Sequence, residues 1–138
     1  VFMTNIICKE LGYKIMNIAF QVHNTLGPGL LESAYEEGLC WEFRNATIHF
    51  ERQKVYPLVY KGDYISSYIA DIVVDNKVIV EIKSVKKLNE LHQAQIINYL
   101  KLSKIEVGYL LNFNAVRLQF QRFVNSSGLW PLLYFWLA

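Results

Sequence analysis

The 138-residue chain has only two cysteines, three prolines and seven glycines, and charged residues make up just 19% of it. Cys8 and Cys40 stand far apart, with no Cys-x-x-Cys pair and no Cys/His spacing suited to zinc, which excludes a disulfide framework and a structural zinc site. Two unpaired thiols, with no basic-then-apolar leader ahead of Lys9-Glu10, point to a reducing, cytoplasmic setting. Nor is there an apolar run of the roughly 20 residues that a membrane-spanning helix needs. The C-terminal stretch Gly128 to Ala138 is almost wholly apolar, but it is about half that length and contains Pro131. We read residues 128–138 as a tail that folds onto the domain or into a partner, either a second copy of the chain or another protein. The formal net charge is only +2, which argues against a basic nucleic-acid coat protein yet leaves room for basic residues gathered at one site. What the chain has in plenty is hydrophobic residues, 53%, of which the aromatics make up 14% of the whole. That excludes intrinsic disorder and fills one core, expected over residues 1–127.

Leu11, Ile15, Ile18, Ala19, Val22 and Leu26 recur at helical spacing, and Gly27-Pro28-Gly29 ends that helix. A second helix follows, with Leu31, Tyr35, Leu39 and Phe43 as its apolar stripe, running to about Asn45. From Val55 the texture changes to β-branched and aromatic runs separated by Lys61-Gly62-Asp63 and Asp75-Asn76, the pattern of three strands in an antiparallel meander. A third helix is expected from Asn89, its cap, to Ser103, then strands at 107–113 and 117–124. The order ααβββαββ predicts an α/β (α+β) fold with a central mixed sheet flanked by helices.

Charges inside strands are the anomaly in so apolar a chain. Asp71 sits in Tyr-Ile-Ala-Asp-Ile-Val-Val, and Glu81 and Lys83 sit in Val-Ile-Val-Glu-Ile-Lys. Period 2 puts Glu81 and Lys83 on one face, with Val80 and Ile82 on the other. Buried carboxylates are expensive unless paired or bound to a cation, so a metal site is a reasonable inference. Two carboxylates hold a hard divalent ion beside a scissile phosphate, and a nearby lysine orients water or stabilises developing negative charge. On its own, Glu-x-Lys reads as readily as an ion pair on a solvated sheet edge. The register decides: a two-residue loop at Asp75-Asn76 would send Asp71 and Glu81 to opposite faces, whereas an odd loop, such as Asp75-Asn76-Lys77 with Val74 opposite Val78, or a bulge that shifts the count by one, brings them together. We predict the odd register. Glu32 lies toward the apolar side of the second helix, where a third carboxylate could reach the site, and His92, Gln95 and Tyr99 share one face of the third. Lys83, Lys86 and Lys87 add positive charge at the same locus.

Gly29-Leu-Leu-Glu32-Ser-Ala-Tyr35 resembles the signature of the GxxExxY protein family, a prokaryotic group within the PD-(D/E)XK nuclease superfamily. The similarity runs from about Ile15 through His23, Glu51-Arg-Gln53, Asp71, Val80-Glu-Ile-Lys83 and His92-Gln-Ala-Gln95 to Phe113. The resemblance implies a restriction-endonuclease-like αβββαβ core in which Asp71 and Glu81 bind Mg²⁺, or Mn²⁺ in its place. Lys83 would be the catalytic lysine and Glu32 the helix carboxylate and a further ligand. Gln95 with Tyr99 is similar to the QxxxY element of the exonuclease branch, and with His92 and Tyr35 they are the expected substrate contacts. Ala70 stands where the superfamily's name has proline, a position that serves turn geometry more than chemistry. His23 is expected to be a satisfied structural histidine. The expected activity is hydrolysis of DNA phosphodiester bonds by metal-activated water, with RNA open as a substrate. The alternative is a non-catalytic nuclease-like module that binds nucleic acid or a protein.

Overall fold

A computed structural model describes residues 8–125, so the expected tail at 128–138 and its role as an interface lie outside the described residues. The elements are α1 (Lys9–Leu26), α2 (Glu32–Asn45), β1 (Phe50–Tyr60), β2 (Asp63–Val74), β3 (Val78–Lys83), α3 (Glu90–Ser103), β4 (Val107–Asn112) and β5 (Gln119–Val124), the order read from the sequence. The sheet runs β1-β2-β3-β4-β5 and is mixed: only the β3–β4 pair is parallel, joined through α3. Among the described residues no helix is long and apolar enough to cross a membrane.

The helices cover both faces. Ile15, Ala19 and Val22 of α1 and Tyr35, Leu39 and Phe43 of α2 pack on Ile72, Val74, Val80, Ile82, Tyr109 and Leu111. Ile96, Tyr99 and Leu100 of α3 pack on Val73, Ile79, Leu110 and Phe123 from the other side. Residues alternating along one strand thus serve two cores, which is why β3 is buried at five of its six positions. Each such side chain removed from water contributes about 1.5–3 kcal/mol.

The turn between α1 and α2 needs its glycines, since Gly27 has φ 71 and Gly29 φ 98. The buried Tyr35 hydroxyl pins the turn, donating to the Gly27 carbonyl (2.6 Å) and accepting from the Leu30 amide (3.0 Å). His23, 5% exposed, bonds through Nε2 to the Ala115 carbonyl at 2.8 Å, the structural role expected of it. Between β2 and β3, Asp75 and Asn76 take φ of 51 and 54, a conformation these residue types tolerate, and Val74 pairs with Val78. The odd loop is therefore the one formed. β1 starts at Phe50 rather than Val55, because Glu51, Arg52 and Lys54 pair with β2 despite their polarity.

Candidate active site

β2 and β3 pair through Ile72 and Val80, and one step further the same register sets Asp71 opposite Glu81. There the carboxylates take over from the backbone ladder. Glu81 Oε1 accepts the Asp71 amide at 2.9 Å, and Asp71 Oδ2 accepts the Ile82 amide at 2.9 Å. The two carboxyl groups thus face one another across the gap between the strands, on the side covered by α3. Lys83, two residues on, sends Nζ to Gln95 Oε1 at 2.7 Å, and Gln95 Nε2 donates to the Tyr99 hydroxyl at 2.8 Å. Five residues singled out from the sequence, Asp71, Glu81, Lys83, Gln95 and Tyr99, are therefore brought together by one sheet face and one helix.

The electrostatics follow from burial. Glu81 is 1% exposed, and desolvation, reinforced by the Asp71 charge, pushes its carboxyl up to about 9. Burial also raises Asp71, opposed by the Ile82 amide, while Glu36 pushes it further up. The Tyr99 hydroxyl is pushed up to about 12 by burial and then by Glu81. Neither Asp71 nor Glu81 has an ion-pair partner among the described residues. Two such carboxylates form an oxygen donor pair of the kind hard divalent cations take, so the residues present fit Mg²⁺ or Mn²⁺.

The strand end that carries Lys83 is held from both sides. Buried Asn112 accepts the Val85 amide (3.0 Å) and donates to the Val85 carbonyl (2.9 Å), and Ser84 Oγ donates to the Leu30 carbonyl at 2.6 Å. A cleft of about 400 Å³ opens beside it, lined by Leu30, Leu31, Glu32, Ser33, Ser84 and Val85.

Two assignments need correction. Tyr35 is fully buried, stacked on Phe113 with ring centroids 4.5 Å apart, and its hydroxyl is taken up by the turn, so it cannot touch substrate. Glu32 is exposed in the first turn of α2, and among the described residues no three His, Cys, Asp or Glu side chains converge on one ion position. It lines the cleft instead. His92 belongs to the cap of α3, its Nδ1 accepting the Asn89 amide at 3.1 Å. Its basicity is lowered by burial and by Lys83, with Glu32 acting in the opposite sense.

Sequence reasoning missed Glu36 and gave no role to Arg52 and Gln53, which it named only within the Glu51-Arg-Gln53 segment of the resemblance. Glu36, 8% exposed and one turn beyond Glu32, is the α2 carboxylate that faces the sheet. Its Oε2 accepts from Arg52 Nε (3.1 Å) and Nη2 (2.6 Å), and its Oε1 from Gln53 Nε2 at 2.7 Å. The signal for Glu36 was available: a carboxylate set among Tyr35, Leu39 and Phe43.

A model of the PD-(D/E)XK nuclease superfamily matches residues 9–123 of the chain. Comparison with curated proteins and with solved structures gives no match.

Proposed function

Because the chain belongs to the PD-(D/E)XK nuclease superfamily, we propose that it is a divalent-metal-dependent phosphodiesterase that hydrolyses DNA, of the GxxExxY branch on its Gly29 to Tyr35 motif. The observation that carries this reading is the facing pair Asp71 and Glu81, buried without a cationic side chain of their own and set beside Lys83. Asp71 and Glu81 would hold Mg²⁺ or Mn²⁺. The ion supplies Lewis-acid charge at the phosphate and favours ionised water near neutral pH.

The chain's own residues account for the rest. Gln95, fixed by the Tyr99 hydroxyl, orients the Lys83 ammonium without neutralising it, since an amide oxygen carries no net charge. Lys83 is thereby free to orient the attacking water or to stabilise the negative charge that builds on the phosphate oxygens. Glu32 lines the cleft beside this strand end, and Lys86 and Lys87, both exposed in the segment that follows Lys83, offer further positive charge to a polyanion. Phosphate contacts of this kind read no sequence, so little base preference is expected.

The test is cleavage of supercoiled plasmid, linear duplex, single-stranded DNA and RNA with Mg²⁺ or Mn²⁺, each against a chelator control. Divalent-dependent loss of a DNA substrate supports the proposal. Cleavage confined to RNA would reassign the substrate, and tight nucleic-acid binding without cleavage would favour a non-catalytic module.

A further inference from the structure

Gln53 lies in β1 directly across from Asp71, since its neighbours Arg52 and Lys54 pair with Ile72 and Ala70. Yet its own backbone has φ 49, in the left-handed region. A non-glycine residue there costs about 1–2 kcal/mol, and such outliers persist where the surroundings hold them, often at working sites. At this position the outlying backbone is matched by a specific set of contacts. Gln53 Nε2 donates to Glu36 Oε1 at 2.7 Å and lies 3.4 Å from Asp71 Oδ1.

The chemistry of the chain of contacts fixes its direction. Glu36 is a carboxylate, able only to accept, and its other oxygen is already taken by the Arg52 guanidinium. The amide atom facing Glu36 must therefore be the NH₂ group, and that nitrogen's second hydrogen is directed at Asp71 Oδ1. Asp71 Oδ2 is held by the Ile82 amide. Both oxygens of the carboxylate are thus tethered, one by its neighbouring strand and one by a relay that starts on Arg52 and passes through α2.

We propose that Gln53 is a positioning residue, which the Arg52–Glu36 pair locks and which in turn fixes the plane of the Asp71 carboxylate for cation binding. This rests on the nuclease reading only through the role it gives Asp71. Partners one step removed from a metal ligand commonly contribute 10–100-fold in affinity (roughly), because they hold the ligand in its binding rotamer before the ion arrives.

The left-handed backbone supplies clean variants. Gln53→Gly suits φ 49 better than glutamine does and removes only the side chain, while Gln53→Asn also tolerates that conformation but is one methylene too short to span Glu36 and Asp71. Mn²⁺ binding to the full chain, measured by titration calorimetry at a temperature where the parent chain and both variants are folded, is expected to weaken about 10–100-fold in both. The Mn²⁺ concentration for half-maximal cleavage should rise by the same factor, and saturating Mn²⁺ should restore the rate, a recovery that a merely structural role would not produce. Binding of Mn²⁺ by both variants as tightly as by the parent chain, when Asp71→Asn abolishes it, would overturn the positioning role and leave the nuclease reading intact. A parent chain that binds no Mn²⁺ would overturn both.

Discussion

With its carboxyl 1% exposed and pushed up to about 9, Glu81 keeps a proton in the folded, metal-free chain over a pH range in which the unfolded chain releases it. Between the ordinary glutamate value of 4.5 and about 9, unfolding therefore releases a proton, and raising the pH favours unfolding. The metal-free protein should melt at a lower temperature at pH 8 than at pH 6, and Glu81→Gln should flatten that dependence and raise the melting temperature at pH 8. Mg²⁺ or Mn²⁺, which binds the ionised pair, should stabilise more at pH 8 than at pH 6. An unchanged slope in Glu81→Gln would remove Glu81 as its source. At this scale the convergence of Asp71, Glu81 and Lys83 was legible because ionisable groups stand out in Val- and Ile-rich strands, and that of Gln95 with Tyr99 because they fall one helical turn apart. Tyr35 was misread because a motif position says nothing of which way its hydroxyl turns. The contacts of Gln53, a residue named only as part of the resemblance, were illegible for a different reason: its partners lie 17 and 18 residues away and meet it through a left-handed backbone that no glutamine announces.

α3 carries Gln95 and Tyr99 to the site, and two contacts set its position. Its first turn is capped by Asn89, whose side chain accepts the Leu91 and His92 amides, the cap that the sequence placed at this residue. Asn89→Ala is expected to cost about 1 kcal/mol in urea unfolding. Further along, the helix lies so close to β4 that a Cβ at Gly108 would meet Ile96 Cδ1 at 2.8 Å and Leu100 Cδ2 at 3.3 Å. Gly108→Ala should therefore force the buried Ile96 and Leu100 side chains to repack and destabilise by about 1–3 kcal/mol, read in urea unfolding. A stability equal to that of the parent chain would mean that Ile96 and Leu100 move aside at no cost. The odd register between β2 and β3 was legible by requirement, because Asp71 and Glu81 share a face only with an odd loop or a compensating bulge, and the loop is the form taken. The early start of β1 was not, because Phe50 to Lys54 lacks alternation and is held by pairing with β2 rather than by its own pattern.

The described residues build one sheet with helices on both faces, and a 138-residue chain with a net charge of +2 carries few charges for gripping a polyanion. If Lys83, Lys86 and Lys87 are the phosphate contacts, the logarithm of duplex affinity should fall against the logarithm of salt with a slope of about −3. A slope beyond about −6 would require basic residues outside this cluster. The fold class was legible from periodicity and breakers alone, since helices and strands alternate in an order that a mixed sheet with helices on both faces accommodates. The central claim is that Asp71, Glu81 and Lys83 form one cation-dependent hydrolytic centre. Its most direct test is the initial rate of linear DNA cleavage with Mg²⁺ or Mn²⁺ for the parent chain, Lys83→Ala and Asp71→Asn, each shown to be folded. The account predicts cleavage by the parent chain that needs the divalent ion and a loss of about 100-fold or more in each variant. Cleavage undiminished in both variants, or none by a parent chain that binds the ion, would contradict it.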